Sequence, residues 1–173
     1  MKKLTQKCTD FVVIDFETTG LDAIKNELIE VSALKYVGRN FVDSYITLIK
    51  PKIKIPYYIT QINGITNEMV KDAPSIEEVI PRLVDFIGPS VLVAHNAAFD
   101  MKFLKCNAQR CGLEVKNSYI DTLSLSRKTF PELHNHKLAT VARHIGIHEE
   151  GWHRAEFDTR ATAEILLRCT ESF

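Results

Sequence analysis

The sequence predicts a single α/β domain in which helices cover a mixed β-sheet. Three runs typical of strands occupy the first 50 residues, and the rest of the chain alternates between helical and strand-like segments. The chain has 173 residues, which is enough for one domain with a substantial core and too few for two. Apolar residues make up 45% and charged residues 25%, an ordinary composition for a globular domain. We therefore expect one domain over residues 1–173, with its core between about 10 and 168.

The predicted strands are short apolar runs bounded by turn residues. The first contains the apolar residues 11–14, and a hairpin turn at Gly38-Arg39-Asn40 is predicted to join the next two. The five predicted strands are "DFVVIDFETTG", "ELIEVSALKYV", "FVDSYITLIK", "SVLVAHN" and a segment near "NSYIDTLSL".

Four helices are predicted between and after these strands. The first has Ser75 as its N-cap, Glu78 three residues later as a capping-box partner, and Gly88 as its end. The four predicted helices are "SIEEVIPRLVDFIG", "AAFDMKFLKCNAQRCG" and segments near "KLATVARHIG" and "EFDTRATAEILLRC".

The overall charge and the apolar pattern exclude some classes of protein. Basic and acidic residues both number 22, which argues against a broad basic coat for nucleic acid but allows a local site where a metal ion contacts phosphate. No apolar stretch approaches the ~18 residues of a membrane span, so we expect no membrane association and a cytoplasmic location. The cysteines show no CxxC spacing and are expected to be reduced thiols: Cys8, Cys106, Cys111 and Cys169.

Two carboxylates interrupt the first predicted strand. Side chains alternate along a strand, so Asp15 and Glu17 point to the same face, one pleat apart. Like charges held that close repel, and their burial is costly unless a positive group lies between them. A strand edge that reaches solvent would explain the pair equally well. The alternative explanation is a functional one, in which a bound cation lies between the two carboxylates.

Two further acids and a histidine lie near the starts of predicted helices. Asp100 lies about one turn inside a predicted helix, and Asp158 lies at the start of the last one, five residues after His153. Each acid alone could serve a helix dipole or cap, and a lone His is usually not a catalyst. Together, however, four carboxylates from separate segments supply the hard oxygen ligands that two divalent cations need.

The segments "DFETTG", "HNAAFD" and "HRAEFD" resemble the three exonuclease motifs of the DnaQ-like DEDDh family. That family includes the epsilon proofreading subunit of bacterial DNA polymerase III and the exonuclease domain of the PolC-type polymerase. The resemblance runs from about Phe11 to about Leu167, which is almost the whole chain. It implies a ribonuclease H-like fold, in agreement with the mixed sheet and flanking helices.

The resemblance also implies roles for the five motif residues. Asp15 would bridge two Mg²⁺ or Mn²⁺ ions, and Glu17 and Asp158 would complete the site of the attacking water. Asp100 would act through water or the second metal ion, and His153 would take the proton of the water as general base. The products implied are nucleoside 5′-monophosphates released from the 3′ end.

Two loops are candidates for contact with the terminal nucleotide. Thr18, Thr19 and Gly20 could approach the terminal sugar or could form an ordinary strand-ending turn. The segment "ITQINGIT" resembles the family segment that wedges against the terminal base. In it Ile62, Gly64 and Ile65 fit, while Asn63 stands where relatives often carry His or Thr.

Two other groups of residues each allow a structural and a substrate-binding interpretation. His95 and Asn96 are expected to shape a strand-to-helix turn and to lie near the substrate. Lys50, Lys52 and Lys54 alternate along what we interpret as a strand, just before Tyr57 and Tyr58. Such a run can follow a single nucleic-acid strand, or its lysines can protect the edge of a sheet, which is the interpretation we favour. The spacing of the histidines does not indicate a zinc site.

The leading prediction is a metal-dependent 3′→5′ exonuclease that acts on single-stranded or frayed DNA ends, with proofreading and a DNA polymerase partner as corollaries. An exonuclease of the RNase T or oligoribonuclease type, which acts on RNA ends, is the first alternative. A non-catalytic scaffold module in a polymerase complex is the alternative of another class. All five motif residues are present, which argues against the scaffold.

Overall fold

The computed structural model describes residues 10–147 and 154–171, and within them five strands form one sheet. The strands are β1 (Asp10–Thr18), β2 (Leu28–Val37), β3 (Asn40–Leu48), β4 (Val91–Ala94) and β5 (Tyr119–Asp121). Their order across the sheet is β3-β2-β1-β4-β5. β2 is antiparallel to β1 and β3, whereas β4 is parallel to β1 and β5 is parallel to β4. The predicted mixed sheet is confirmed.

The helices in this part of the chain are α1 (Tyr57–Asn63), α2 (Asn67–Val70), α3 (Ile76–Ile87), α4 (Ala97–Arg110), α5 (Thr122–Thr129), α6 (Leu138–His144) and α7 (Ala155–Glu171). All four predicted helices are present. The capping box at α3 is confirmed, since the Ser75 N–H donates to Glu78 Oε2 at 2.8 Å. The short helices α1, α2 and α5 were not predicted. The predicted strand near residue 119 is cut short because Asp121 accepts from the Leu123 N–H and so begins α5.

The two faces of β1 contact different helices. Val12, Ile14 and Phe16 pack in a cluster with α3 and α4, whereas Phe11 and Val13 pack in a second cluster with α7. Because side chains alternate along a strand, every odd-numbered position of β1 points toward α7. This alternation sends the acids of β1 toward the last helix.

One local prediction is wrong. β3 is the edge strand of the sheet, but it ends at Leu48, so Lys50, Lys52 and Lys54 lie beyond it in an irregular segment. This segment is fixed by hydrogen bonds other than those of a ladder, including one from the Lys50 N–H to the Pro74 carbonyl at 2.9 Å. The lysines therefore do not protect the sheet edge.

Two observations on the described residues relate to expectations about the whole chain. Cys106, Cys111 and Cys169 are free thiols, as predicted, and Cys8 lies outside the described residues. No helix in residues 10–147 and 154–171 has the length and apolar character needed to cross a membrane. The cytoplasmic location stays a prediction.

Candidate active site

Three of the predicted acids meet at the carboxyl end of β1. Asp15 and Glu17 point toward α7, and Asp158 lies in the first turn of that helix. One carboxylate oxygen from each of the three lies within 4.8 Å of the others. α7 is held across the sheet at this point by a hydrogen bond between the Ser32 and Thr159 hydroxyls at 2.8 Å. The arrangement follows from the period of the strand and the packing of α7.

Asp100 reaches the same region from α4. It is 3% exposed and belongs to the first turn of α4, which follows β4. β1 pairs with β4 only as far as Val13, so the backbone of β1 continues beyond its neighbour. Burial raises the pKa of Asp100, and the backbone of Phe16 in this extension opposes that effect. Asp100 therefore lies close to the part of β1 that extends past β4.

The pKa values indicate that these acids are crowded. Burial raises the pKa of Asp15 well above its usual range, and the charges of Asp100, Asp158 and Glu17 raise it further. Burial likewise raises the pKa of Asp100. Hard carboxylate oxygens in such a group match the donors that Mg²⁺ and Mn²⁺ prefer. The residues present therefore fit a divalent metal ion.

Glu17 is oriented by a residue that was predicted to contact substrate. Asn63 Nδ2 donates to Glu17 Oε2 at 3.0 Å, and Asn63 Oδ1 accepts from the Ile65 N–H at 3.0 Å. Burial raises the pKa of Glu17 to about 7, while the hydrogen bond from Asn63 lowers it. The amide of Asn63 is thus fixed at both ends and supports a carboxylate. Its predicted contact with the terminal base stays a prediction.

A further buried acid, Glu30, was missed by the sequence analysis. It lies directly opposite Glu17 on β2 and is 2% exposed. Arg154 Nη2 donates to Glu30 Oε1 at 2.6 Å, Arg154 Nε lies 3.2 Å from both carboxylate oxygens, and the Ala155 N–H donates to Oε2 at 3.0 Å. Glu30 therefore anchors the start of α7. An acid inside the apolar run "LIEV" was the available signal.

The turn after β1 uses its side chains internally. The Thr18 hydroxyl donates to the Gly20 carbonyl at 2.6 Å, and Thr19, which is fully buried, accepts from the Glu27 N–H at 2.9 Å. A Cβ on Gly20 would lie 2.7 Å from the side-chain amide of Asn26, so any larger residue there would displace that amide. These contacts match the alternative of a structural turn, and the predicted sugar contact stays a prediction.

The segment "ITQINGIT" divides into exposed and buried positions. Ile62 is 53% exposed on α1, whereas Ile65 is fully buried in a cluster with Ile29 and Ile55. Gly64 ends α1 in the left-handed region, with φ of 74°. Of the apolar residues predicted to face the terminal base, only Ile62 is available at the surface of this segment.

His95 and Asn96 build the turn from β4 to α4, as predicted. His95 Nε2 donates to the His136 carbonyl at 2.8 Å, because a carbonyl can only accept, and Nδ1 lies 2.9 Å from the Thr122 hydroxyl. Burial lowers the pKa of His95. Asn96 has φ of 67°, and its N–H donates to Asp121 Oδ1 at 2.9 Å. A role near the substrate stays a prediction for both residues. His153, the predicted base, lies outside the described residues.

Comparison with known proteins identifies the family. A family model described as Exonuclease matches residues 12–166. The PolC-type DNA polymerase III of Clostridium perfringens is 47% identical over 157 residues, and that of Bacillus subtilis is 42% identical over 161 residues. Each alignment covers 91% of this chain and 11% of the relative, so the chain spans about a ninth of the length of these polymerases.

Solved structures share the fold. Exonuclease X in complex with 5′ overhanging duplex DNA is 27% identical, with a TM-score of 0.77 and coverage of 94% of this chain and 92% of that one. E. coli Exonuclease I in complex with a dA16 oligonucleotide is 16% identical, with a TM-score of 0.81 and coverage of 95% and 42%, which shows the fold alone. The chain therefore belongs to the exonuclease family, and the enzyme class predicted from its three motifs, a 3′→5′ exonuclease, is confirmed.

Proposed function

We propose that this domain hydrolyses single-stranded or frayed DNA from the 3′ end and releases nucleoside 5′-monophosphates. The observation that carries the proposal is the meeting of three carboxylates within 4.8 Å, with Asp100 buried beside them, in a chain of the exonuclease family. DNA as substrate is supported by the similarity to polymerases of DNA and to an exonuclease solved with duplex DNA. A DNA polymerase is the proposed partner, and residues 1–173 are proposed to act as one domain.

The four acids, Asp15, Glu17, Asp100 and Asp158, would hold two divalent cations, Mg²⁺ or Mn²⁺. When bound, such ions make a water molecule more acidic and stabilise charge on the departing 3′ oxygen. The protein's own contribution is position: Asn63 orients Glu17, and Glu30 holds the first turn of α7, from which Asp158 projects. His153 directly precedes the anchored Arg154 and is proposed to accept the proton of the attacking water.

The test uses one DNA oligonucleotide labelled at its 5′ end, with an unpaired, mismatched or paired 3′ terminus. We expect a ladder that shortens from the 3′ end, fastest for the unpaired strand and slowest for the matched duplex. Opening a terminal pair costs on the order of 1–2 kcal/mol of stacking, and less at a mismatch.

Two controls define the chemistry. A chelator should abolish the ladder and Mg²⁺ or Mn²⁺ should restore it, while His153→Ala should slow it by roughly 10²–10⁴-fold. A matched RNA oligonucleotide tests the alternative substrate. Internal cuts, or release of the 5′ label as the first product, would contradict the proposal.

A further inference from the structure

A basic groove lies between the irregular segment 49–56 and α2. It has a volume of about 220 Å³ and is lined by four lysines: Lys50, Lys52, Lys54 and Lys71. The other lining residues are neutral, so in the described part of the chain no acid contributes to the wall of this groove. The whole chain has no net charge, so the groove is a local concentration of positive charge.

Two of these lysines are not neutralised by neighbours. Lys52 pairs with Glu77 at 2.6 Å and Lys71 pairs with Glu68, and both pairs are exposed, where ion pairs contribute little. Within residues 10–147 and 154–171, neither Lys50 nor Lys54 has an ion-pair partner. Their charges are available to an anion in the groove.

Two structural links join segment 49–56, which forms one wall of the groove, to the acid cluster. The Glu27 carboxylate accepts from the Lys52 N–H at 2.6 Å and from the Ile53 N–H at 3.1 Å. The backbone of Glu27 in turn pairs with Thr19, which follows Glu17 by two residues. At its other end, segment 49–56 leads into α1, whose last residue contacts Glu17. The lysines are thus fixed relative to a carboxylate of the candidate active site.

Exposed aromatic rings follow the lysines directly. Tyr57 is 78% exposed and Tyr58 is 60% exposed, at the start of α1. Both rings are largely exposed and follow Lys54 within four residues of the sequence. Positive charge that contacts phosphates, combined with aromatic rings on which bases stack, is the usual composition of a surface that binds single-stranded nucleic acid.

We infer that the groove binds the backbone of the DNA strand that leads to the 3′ end, with phosphates on Lys50 and Lys54 and bases stacked on Tyr57 and Tyr58. This inference rests on the proposed function, because it assigns a path to the strand whose end reaches the acids. It gives long oligonucleotides an affinity that short substrates lack.

The test compares the double variant Lys50→Gln/Lys54→Gln with the matched control Lys116→Gln/Lys128→Gln, whose lysines lie outside the groove. Two substrates are used, a twelve-nucleotide dT strand and the p-nitrophenyl ester of thymidine 5′-monophosphate, which has no upstream phosphates. We expect kcat/KM for the long strand to fall roughly 5–30-fold at 100 mM salt. The slope of log kcat/KM against log salt should become less negative by about 1.4, or about 0.7 for each lost phosphate contact. Activity on the ester should not change.

Tyr57→Ala/Tyr58→Ala provides an independent readout. It should weaken binding of the long strand by about fivefold or more for each of the two lost stacking contacts, and leave the salt slope unchanged. A change of the salt slope equal to that of the lysine variant would contradict the division of roles between rings and charges.

The remaining outcomes separate the groove from the active site. Equal losses on both substrates would place the lysines in the catalytic machinery and overturn the inference. No loss on either would also overturn it and would leave the exonuclease proposal intact. If the parent hydrolyses neither substrate, the proposed function fails. The groove is then decided by fluorescence anisotropy with labelled dT12, where unchanged affinity of the lysine variant would overturn it.

Discussion

Glu17 and Glu30 lie opposite each other on neighbouring strands, but their carboxylates have different hydrogen-bond partners. Glu30 has a guanidinium and a backbone N–H directed at its two oxygens. Glu17 has one neutral amide and faces Asp15 and Asp158. The structural acid therefore has its counter-charge supplied by the chain, whereas the acid of the candidate active site is left with a repulsion that a metal ion can relieve. Mutations should separate these two cases.

The largest expected effect is at Asp15, in the acid cluster of the candidate active site. Asp15→Asn should abolish turnover, because it removes one of the acids that would hold the metal ions. The same change should leave the metal-free fold as stable as the parent or more so, because it removes a repulsive neighbour of Glu17. Thermal unfolding in excess chelator measures this, and a melting temperature lowered by many degrees would show Asp15 to be structural.

The pH dependence of this stability gain has a definite sign. The folded state raises the pKa of Asp15, so it binds more protons than the unfolded state and loses stability as pH rises. The advantage of Asp15→Asn should therefore grow as the pH rises through the raised pKa of Asp15 and should shrink toward about pH 4, the usual pKa of an aspartate. An advantage that grows as the pH falls would contradict this explanation.

An intermediate effect is expected at Asn63, where the support of Glu17 can be removed. Asn63→Ala should lower activity by roughly 10–100-fold, the scale for a residue that orients a metal ligand, and should raise the Mg²⁺ concentration needed for half-maximal rate. Asn63→His keeps a nitrogen donor and serves as the matched control, with a smaller loss. Equal loss in both variants, without any change in Mg²⁺ dependence, would assign Asn63 to substrate contact alone.

The smallest expected effect on catalysis is at the ion pair between Glu30 and Arg154. A mutation there should change the stability of the fold instead. Arg154→Met leaves Glu30 buried without its cation and should lower the free energy of unfolding by about 2 kcal/mol. This is less than for a fully buried pair, because the Arg154 side chain is 39% exposed. Urea unfolding in chelator measures it, and Glu30→Gln/Arg154→Met should recover part of the loss. Full stability of the single variant would show that the pair does not hold α7.

The acids of the candidate active site could be predicted from the sequence because their pattern is local. Alternation along β1 places Asp15 and Glu17 on one face, and an apolar run that tolerates two acids indicates a function. The contacts from Asn63 to Glu17 and from Arg154 to Glu30 join residues 46 and 124 apart, and no local pattern encodes such pairs. They depend on how helices dock on the sheet.

The errors have an equally physical origin. The alternating lysines after β3 have the period of a strand, but an extended irregular segment has the same period, and what distinguishes them is the hydrogen bonding of the backbone. In this segment the N–H groups of Lys52 and Ile53 donate to the carboxylate of Glu27 rather than to a strand. The helix α5 was missed because its start depends on Asp121 as a cap, directly after a strand.

The ion pair between Glu30 and Arg154 also bears on how the domain is made. It joins an early strand to the last helix, and Asp158 comes into the acid cluster only when that helix docks. A chain still being synthesised, with everything through α6 already exposed, has Asp15, Glu17 and Asp100 but lacks the fourth acid. We therefore expect a nascent chain that stops before α7 to have no nuclease activity, because its acid cluster is incomplete without that helix.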